Sequence, residues 1–464
     1  MSSCPRRIAL TLALLLPALL AVPEGWAAPF AVRLSYSHPD SATRMTVAWN
    51  TADERPTVVE YGLDAGYGLR AEGTAQLWEG GGQWVHEVEL AGLQPDTTYH
   101  YRAGSEGDWS ADQTFRTSSE DPCKLVRFVA LGDNRSNFDY GPSLNWSPIL
   151  GEALDFGPAF VLNTGDLVKD GQDPQQWQHL LEMTEPFFPD APFLSTIGNH
   201  DDDDHDGDAA QYNILFALGR NDVTQTEDYY YFTHGPLIVV ALSTMSFMGG
   251  AIPFGDQAGW LDRVLTENPR PWKVVMLHHP PYSSRDVFGM LHPPNEQSQN
   301  EALVPVFDRH GVDLVIAGHN HWYERFAPSA GGGAGDLAVP VGPGAPGTTY
   351  VITGGAGAFT FDLLELVGVD PAILCQGTPG SRVCAGDHHY LTLEVQGNRL
   401  NVEARATAAQ NFGNDPANRW LIDAFTLTKQ GAEVLDCPGG EGEGEGEGAG
   451  EGEGEGEGEG EGAG

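Results

Sequence analysis

Five short apolar runs, each closed by a residue able to bind metal, limit what this chain can fold into more than any other feature. They are FVALGDNR (Phe128–Arg135), FVLNTGD (Phe160–Asp166), FLSTIGNHD (Phe193–Asp201), KVVMLHHPPY (Lys273–Tyr282) and VDLVIAGHNHWYER (Val312–Arg325). A continuous apolar run of about four to eight residues is the pattern of a strand buried on both faces. Ligands of open α/β sheets bind just beyond the carboxyl ends of such strands. Here those ends carry Asp133, Asp166, Asn199, His200, His278, His279, His319 and His321. One such run carries little information, but five in succession predict a shared metal site.

Between and after these runs the chain reads as a layered α/β domain over 123–430, long enough to bury a sizeable core. Helical stretches are NWSPILGEALDF, QQWQHLLEMTEPF, QAGWLDRVLTEN and NEALVPVFDRHG, and the end returns to strand in TTYVITGGAG, HHYLTLEVQ, RLNVEARAT and IDAFTLTK. The Gly-rich insert from Ser329 to Gly347 and the Cys375–Cys384 loop read as surface excursions. Residues 28–118 are of another kind: TRMTVAWN, TVVEYGL, WVHEVEL, TTYHYRA and ADQTFRT alternate apolar and polar between turn residues. That spacing predicts an antiparallel sandwich. Trp49 with Leu93, Pro95, Thr97 and Tyr99 resembles the fibronectin type III pattern, a core Trp with a Tyr tied back at a corner. Trp84 and Trp109 are read as packing residues rather than a binding surface, and Ser118–Lys124 as the link between the domains.

The compartment is read from the start of the chain and from its cysteines. Arg6 and Arg7 precede an apolar stretch from Ile8 to Val22, and small residues, Gly25 and Ala27, follow. This is the form of a cleaved signal peptide over 1–27, too short for a membrane anchor and interrupted by Pro17. The expected location is therefore secreted, periplasmic or cell-surface, with no transmembrane segment. Removing the signal leaves Cys123, Cys375, Cys384 and Cys437. Exported chains form disulfides, and of the three pairings open to four cysteines the favoured one joins Cys375 to Cys384 and Cys123 to Cys437. The tail over 438–464 alternates Glu and Gly and has no apolar surface to bury, so it is expected to be disordered. Its ten glutamates account for part of the formal charge of −41 and leave −31 on the rest. So acidic a surface argues against nucleic-acid partners.

The ligand types define the chemistry. Carboxylate, imidazole and amide oxygen suit hard or borderline divalent metals. Asp166 is placed to bridge two ions with Asp133 beside it, while Asn199, His278, His319 and His321 supply further donors. Two ions about 3.5–4 Å apart can clamp a phosphate for in-line attack by a bridging hydroxide. His200 would steady the phosphate or protonate the leaving oxygen. His279 is read as a partner standing behind the ligands or as packed beside Pro280. In DDDDHDGD, Asp202, Asp204, Asp206 and Gly207 open like a calcium loop, but Asn213 stands where Glu should close it, and a solvated acidic loop is the preferred reading.

In order and spacing these blocks resemble the calcineurin-like metallophosphoesterases, and most of all their purple acid phosphatase branch, which joins a fibronectin-like domain to such a catalytic domain. The blocks are Asp133 in GDNR, Gly165–Asp166, Gly198–Asn199–His200–Asp201, Val275 to His278, and Gly318–His319–Asn320–His321, followed by Tyr323–Glu324–Arg325. The resemblance implies a four-layer phosphoesterase sandwich, preceded by the all-β fibronectin III-like domain. It also implies two metal ions (iron, manganese or zinc) and a small-molecule phosphate ester as substrate. One ion would take Asp133, Asp166 and His321; the other would take Asp166, Asn199, His278 and His319, with His200 as the outer acid. Two departures stand out. Lys169 occupies the place of the iron-binding Tyr, which predicts a colourless protein. Arg135 occupies the place of a His ligand found in other branches, leaving the first ion short of one protein ligand and a guanidinium free to point at phosphate. The expected activity is metal-dependent hydrolysis of phosphomonoesters or diesters. The alternatives are a nucleotide or lipid-headgroup diesterase and a non-catalytic surface protein on a retired catalytic fold.

Overall fold

The computed structural model describes residues 29–136, 143–202, 209–245, 253–284, 297–331, 338–342, 345–360, 378–407 and 420–429, together with Cys375, Leu435 and Cys437. The signal-like segment, the Glu–Gly tail and residues 203–208 of the acidic stretch lie outside the described residues.

The N-terminal region is the expected β-sandwich. One sheet runs in the order Phe30–Ser35, Arg44–Thr51, Gln83–Ala91, Thr74–Trp78. The other runs Leu69–Glu72, Val58–Gly62, Thr98–Ser105, Asp108–Trp109, with Gln113–Arg116 also paired to Thr98–Ser105. All these pairings are antiparallel. Trp49, Val47, Val88, Leu90, Val59 and Tyr101 fill the space between the sheets. The Tyr99 hydroxyl accepts the Gln94 N–H at 2.9 Å, which is the corner tie the pattern predicted.

The second region is built on two sheets. A six-stranded sheet runs Phe193–Ser195, Val161–Asn163, Val126–Leu131, His389–Gln396, Arg399–Ala406, Leu421–Thr428. Its first three strands are mutually parallel and the rest antiparallel. A seven-stranded sheet runs Tyr230–His234, Leu237–Ala241, Trp272–Leu277, Leu314–Ala317, Thr349–Thr353, Tyr323–Phe326, Ser381–Ala385. The four strands from Leu237–Ala241 to Thr349–Thr353 are parallel. The five apolar runs are therefore divided, three in one sheet and two in the other.

Alternate residues of single strands show the layering. Val274, Met276, Leu314 and Ile316 join the core shared with Phe128, Ala130, Leu391 and Leu393 of the other sheet. Their neighbours Val275, Leu277, Val315 and Ala317 join a separate cluster with Trp260, Leu261, Leu303 and Phe307, from the helices Phe254–Glu267 and Gln297–His310. One face of the sheet meets its partner sheet and the other meets helices, so every position is apolar. The helices Trp146–Leu154 and Pro174–Thr184 pack into the first core through Trp146, Ile149, Trp177 and Leu180. Pro174–Thr184 starts where the Asp173 side chain accepts the Gln175 N–H at 2.9 Å, with Pro in the first turn.

Both expected disulfides form, Cys123–Cys437 across 314 residues and Cys375–Cys384 across 9. Among the described residues no helix is long and apolar enough to cross a membrane.

Candidate metal centre

The carboxyl ends of both parallel strand sets converge. Asp133 follows Val126–Leu131, Asp166 follows Val161–Asn163, Asn199 and His200 follow Phe193–Ser195, His278 follows Trp272–Leu277, and His319 and His321 follow Leu314–Ala317. Tight turns hold them there. Gly198 lies so close to the Asp166 loop that a Cβ would sit 2.2 Å from the Asp166 nitrogen. A Cβ on Gly318 would sit 2.5 Å from Asp133 Oδ2, so neither position admits a side chain.

Two donor groups result: Asp133, Asp166 and His321 in one, and His278, His279 and His319 in the other. Asn199 Oδ1 lies 3.0 Å from His278 Nε2 and 3.0 Å from His319 Nδ1, and Asp166 Oδ1 lies 3.4 Å from His278 Nε2. His321 Nε2 is 3.5 Å from Asp133 Oδ1. All the residues predicted as ligands are thus gathered. His279, read from sequence as behind the ligands or packed outside, stands among them.

The tautomers can be assigned from the partners. His278 Nδ1 is 2.8 Å from the Thr164 carbonyl and His321 Nδ1 is 2.8 Å from the Phe359 carbonyl. A carbonyl only accepts, so each ring donates from Nδ1, and in the neutral ring the lone pair is on Nε2. The Nε2 lone pair of His278 then faces Asn199 Oδ1 and Asp166 Oδ1, both acceptors. Converging lone pairs repel unless a cation sits between them, so this donor set fits metal ions. Metal-binding histidines commonly anchor the remote N–H in this way.

The charges agree. Burial pushes the Asp133 carboxyl well up, and neighbouring Asp166 adds to it, so without a cation the pocket favours a proton there. Burial would also raise Asp166, but His278, His200 and Arg135 outweigh it and hold that carboxyl low. Burial lowers His321 to about 4, keeping the imidazole neutral as a metal ligand must be.

Arg135 donates from Nε to Asp166 Oδ2 at 3.0 Å, so its guanidinium stands at the Asp133–Asp166 side. Lys169 contributes no side-chain donor. Its carbonyl accepts the His200 ring at 2.7 Å, which turns Nε2 of that half-buried histidine away from the loop. The His200 backbone N–H donates to Asp166 Oδ1 at 3.0 Å.

Sequence reasoning gave no role to Asp201, although it closes the GNHD block. Its buried carboxylate accepts four backbone N–H groups, from Asp166 (2.9 Å), Leu167 (2.8 Å), Val168 (3.2 Å) and Gly198 (2.8 Å). One side chain thereby ties the Asp166 turn to the Asn199 turn. The available signal was a charged residue directly beside a Gly-containing turn that had to be buried. Asn134 and Asn163 were missed in the same way: Asn163 donates to Asn134 Oδ1 at 3.0 Å and accepts the Gly165 N–H at 2.9 Å.

The comparisons with known proteins agree with this geometry. Residues 29–117 match the purple acid phosphatase N-terminal domain and residues 126–323 match the calcineurin-like phosphoesterase domain. Human acid phosphatase type 7 is 28% identical over 363 residues, 71% of this chain and 78% of that protein. Arabidopsis thaliana purple acid phosphatase 22 is 29% identical over 316 residues, 64% of this chain and 67% of that protein. Among solved structures, the purple acid phosphatase PPD1 of yellow lupin superposes with a TM-score of 0.70 at 19% identity, covering 89% of this chain and 76% of that one. The structure of PhoD superposes with a TM-score of 0.65 at 13% identity, covering 90% and 95%. The fold and donor set define a phosphoesterase of the two-sheet, metal-centred class. Within that class the chain carries a calcineurin-like phosphoesterase domain behind a purple acid phosphatase N-terminal domain.

Proposed function

We propose that this protein is an exported phosphoesterase that hydrolyses small-molecule phosphate esters at a two-ion centre. Its domains are a β-sandwich over 28–118 and a catalytic unit over 123–430. The observation that carries the reading is the convergence of acceptor atoms from Asp166, Asn199 and His278 on one point, beside Asp133 and His321. Asp133, Asp166 and His321 would hold one ion; Asp166, Asn199, His278 and His319 would hold the other. When bound, such ions neutralise the phosphoryl oxygens and activate a water as nucleophile.

The protein's own residues do the rest. Asp166 presents both oxygens, oriented by the His200 N–H on one and by Arg135 on the other. The Arg135 guanidinium would meet phosphate oxygens, for which its planar fork is suited. His200, with Nδ1–H held by the Lys169 carbonyl, offers Nε2 to phosphate or to the departing oxygen. Export is supported by the signal-like start of the chain and by two disulfides, which persist in oxidising compartments.

The test is hydrolysis of a chromogenic phosphomonoester and a diester across a range of pH, before and after chelation. Turnover that disappears with chelator and returns with iron, manganese or zinc supports the reading, and the faster ester sets the substrate class. Bound metal with no turnover of either ester would contradict it.

A further inference from the structure

The turn that delivers His278 also delivers a second imidazole, which the resemblance assigns to neither ion. His279 is held by three hydrogen bonds to two partners. Its Nδ1 lies 2.8 Å from Thr244 Oγ1, its backbone N–H donates to the same hydroxyl at 3.2 Å, and its carbonyl accepts from the Gln299 side-chain amide at 2.9 Å. The Thr244 oxygen accepts the backbone N–H and has a second lone pair for Nδ1–H, and the tautomer in which it accepts both is the one that leaves Nε2 able to bind a metal. The ring proton in that tautomer sits on Nδ1 and the lone pair on Nε2.

The ring faces the metal centre. Its centroid is 4.8 Å from that of His278, at 89°, and 4.1 Å from that of His319, at 43°. One ring nitrogen from each of His278, His279 and His319 lies within 4.8 Å of the others. That spacing lets three imidazoles close on one ion after small ring rotations.

We propose that His279 is a third imidazole ligand of the ion held by Asn199, His278 and His319, with Thr244 as its positioning residue. The inference rests on the two-ion reading above and adds a ligand to it. The two sites then differ in kind. One is rich in imidazole and suits a borderline divalent cation such as zinc, cobalt or iron(II); the other, with Asp133, Asp166, His321 and an adjacent Arg135, is carboxylate-rich and weaker.

Equilibrium dialysis of full-length protein against cobalt(II), with the visible cobalt spectrum recorded alongside, tests this. The expected result is a tight and a weak site in the native protein. His279→Ala should weaken the tight site at least about tenfold and change its spectrum, and Thr244→Val should do so by a smaller factor. His279→Gln, which keeps a polar side chain, checks that the loss is not one of folding, as does matching circular dichroism of the metal-free proteins. Unchanged cobalt affinity and spectrum in His279→Ala would overturn the proposal, whatever happens to hydrolysis. Conversely, His279-dependent cobalt binding without ester hydrolysis would sink the functional reading and leave this ligand in place.

Discussion

Asp133, Asp166 and His319 all have positive φ, at 61°, 55° and 67°. This left-handed conformation disfavours most side chains, and Asp and His are among those that tolerate it; strain of this sort, on the order of 1 kcal/mol per residue, collects at functional sites. The turns are held in place by side chains such as Asp201. Replacing Asp201 with Ala strands four buried backbone donors, at roughly 1–3 kcal/mol each, so a loss of at least about 3 kcal/mol in a urea titration is expected, together with loss of bound metal. A variant with native stability and metal content would contradict that role. His200 sits apart from the converging ligand atoms, so His200→Ala should keep its metal while kcat falls about 100-fold or more; an unchanged kcat would remove His200 from the chemistry. The residues gathered at the strand ends were legible because each ends an apolar run. Asp201 and His279 were not, since their surroundings depend on which way a side chain leaves its turn, and local sequence does not record that.

At the level of elements, the glycine turns join strand ends to ligands. In Gly318→Ala the new Cβ would press on Asp133 Oδ2 and Thr164 Oγ1, two side chains that are themselves fully buried. Metal affinity should drop at least about tenfold, measured by dialysis, while the strands behind the turn keep the fold. Equal affinity would show that the Asp133 loop can move. The next layer out is anchored by Glu324, whose buried carboxylate accepts the Ser284 N–H at 3.0 Å and hydroxyls of Ser284 (2.5 Å) and Ser381 (2.7 Å). It pins the loop that follows His278. Helices and strands were readable from periodicity: NWSPILGEALDF contains the helix Trp146–Leu154, and RLNVEARAT the strand Arg399–Ala406. Division of the five runs between two sheets was not readable, because a strand between a sheet and a helix layer is apolar throughout whichever sheet it joins.

Across the whole molecule, the sandwich is bound to the catalytic unit by buried polar contacts. Arg33 donates to the Leu215 carbonyl, Ser35 to the Ala217 carbonyl, and Tyr101 to the Pro189 carbonyl. His234 lies in this junction, with Nδ1 3.4 Å from the Tyr36 hydroxyl and 3.3 Å from the Ser41 hydroxyl. Burial lowers its pKa from 6.5 to about 3. The unfolded chain therefore binds more protons than the folded one between those values. Stability is full above about pH 6.5 and falls as the pH drops toward 3. His234→Gln should flatten that slope in thermal melts taken across the window; an unaltered slope would place the titration elsewhere. The Cys123–Cys437 bond closes a 314-residue loop, and breaking it by Cys437→Ser should cost about 2–5 kcal/mol.

The central claim is that Asp166, buried in one donor group and 3.4 Å from His278 of the other, joins two ions into one hydrolytic centre. Metal content and ester turnover measured together, in the native protein and in Asp166→Ala, test it most directly. The account predicts about two ions per native chain and, in the variant, loss of at least one ion together with nearly all hydrolysis. A variant that keeps native turnover, or a native protein that hydrolyses esters at full rate after complete chelation, would contradict it.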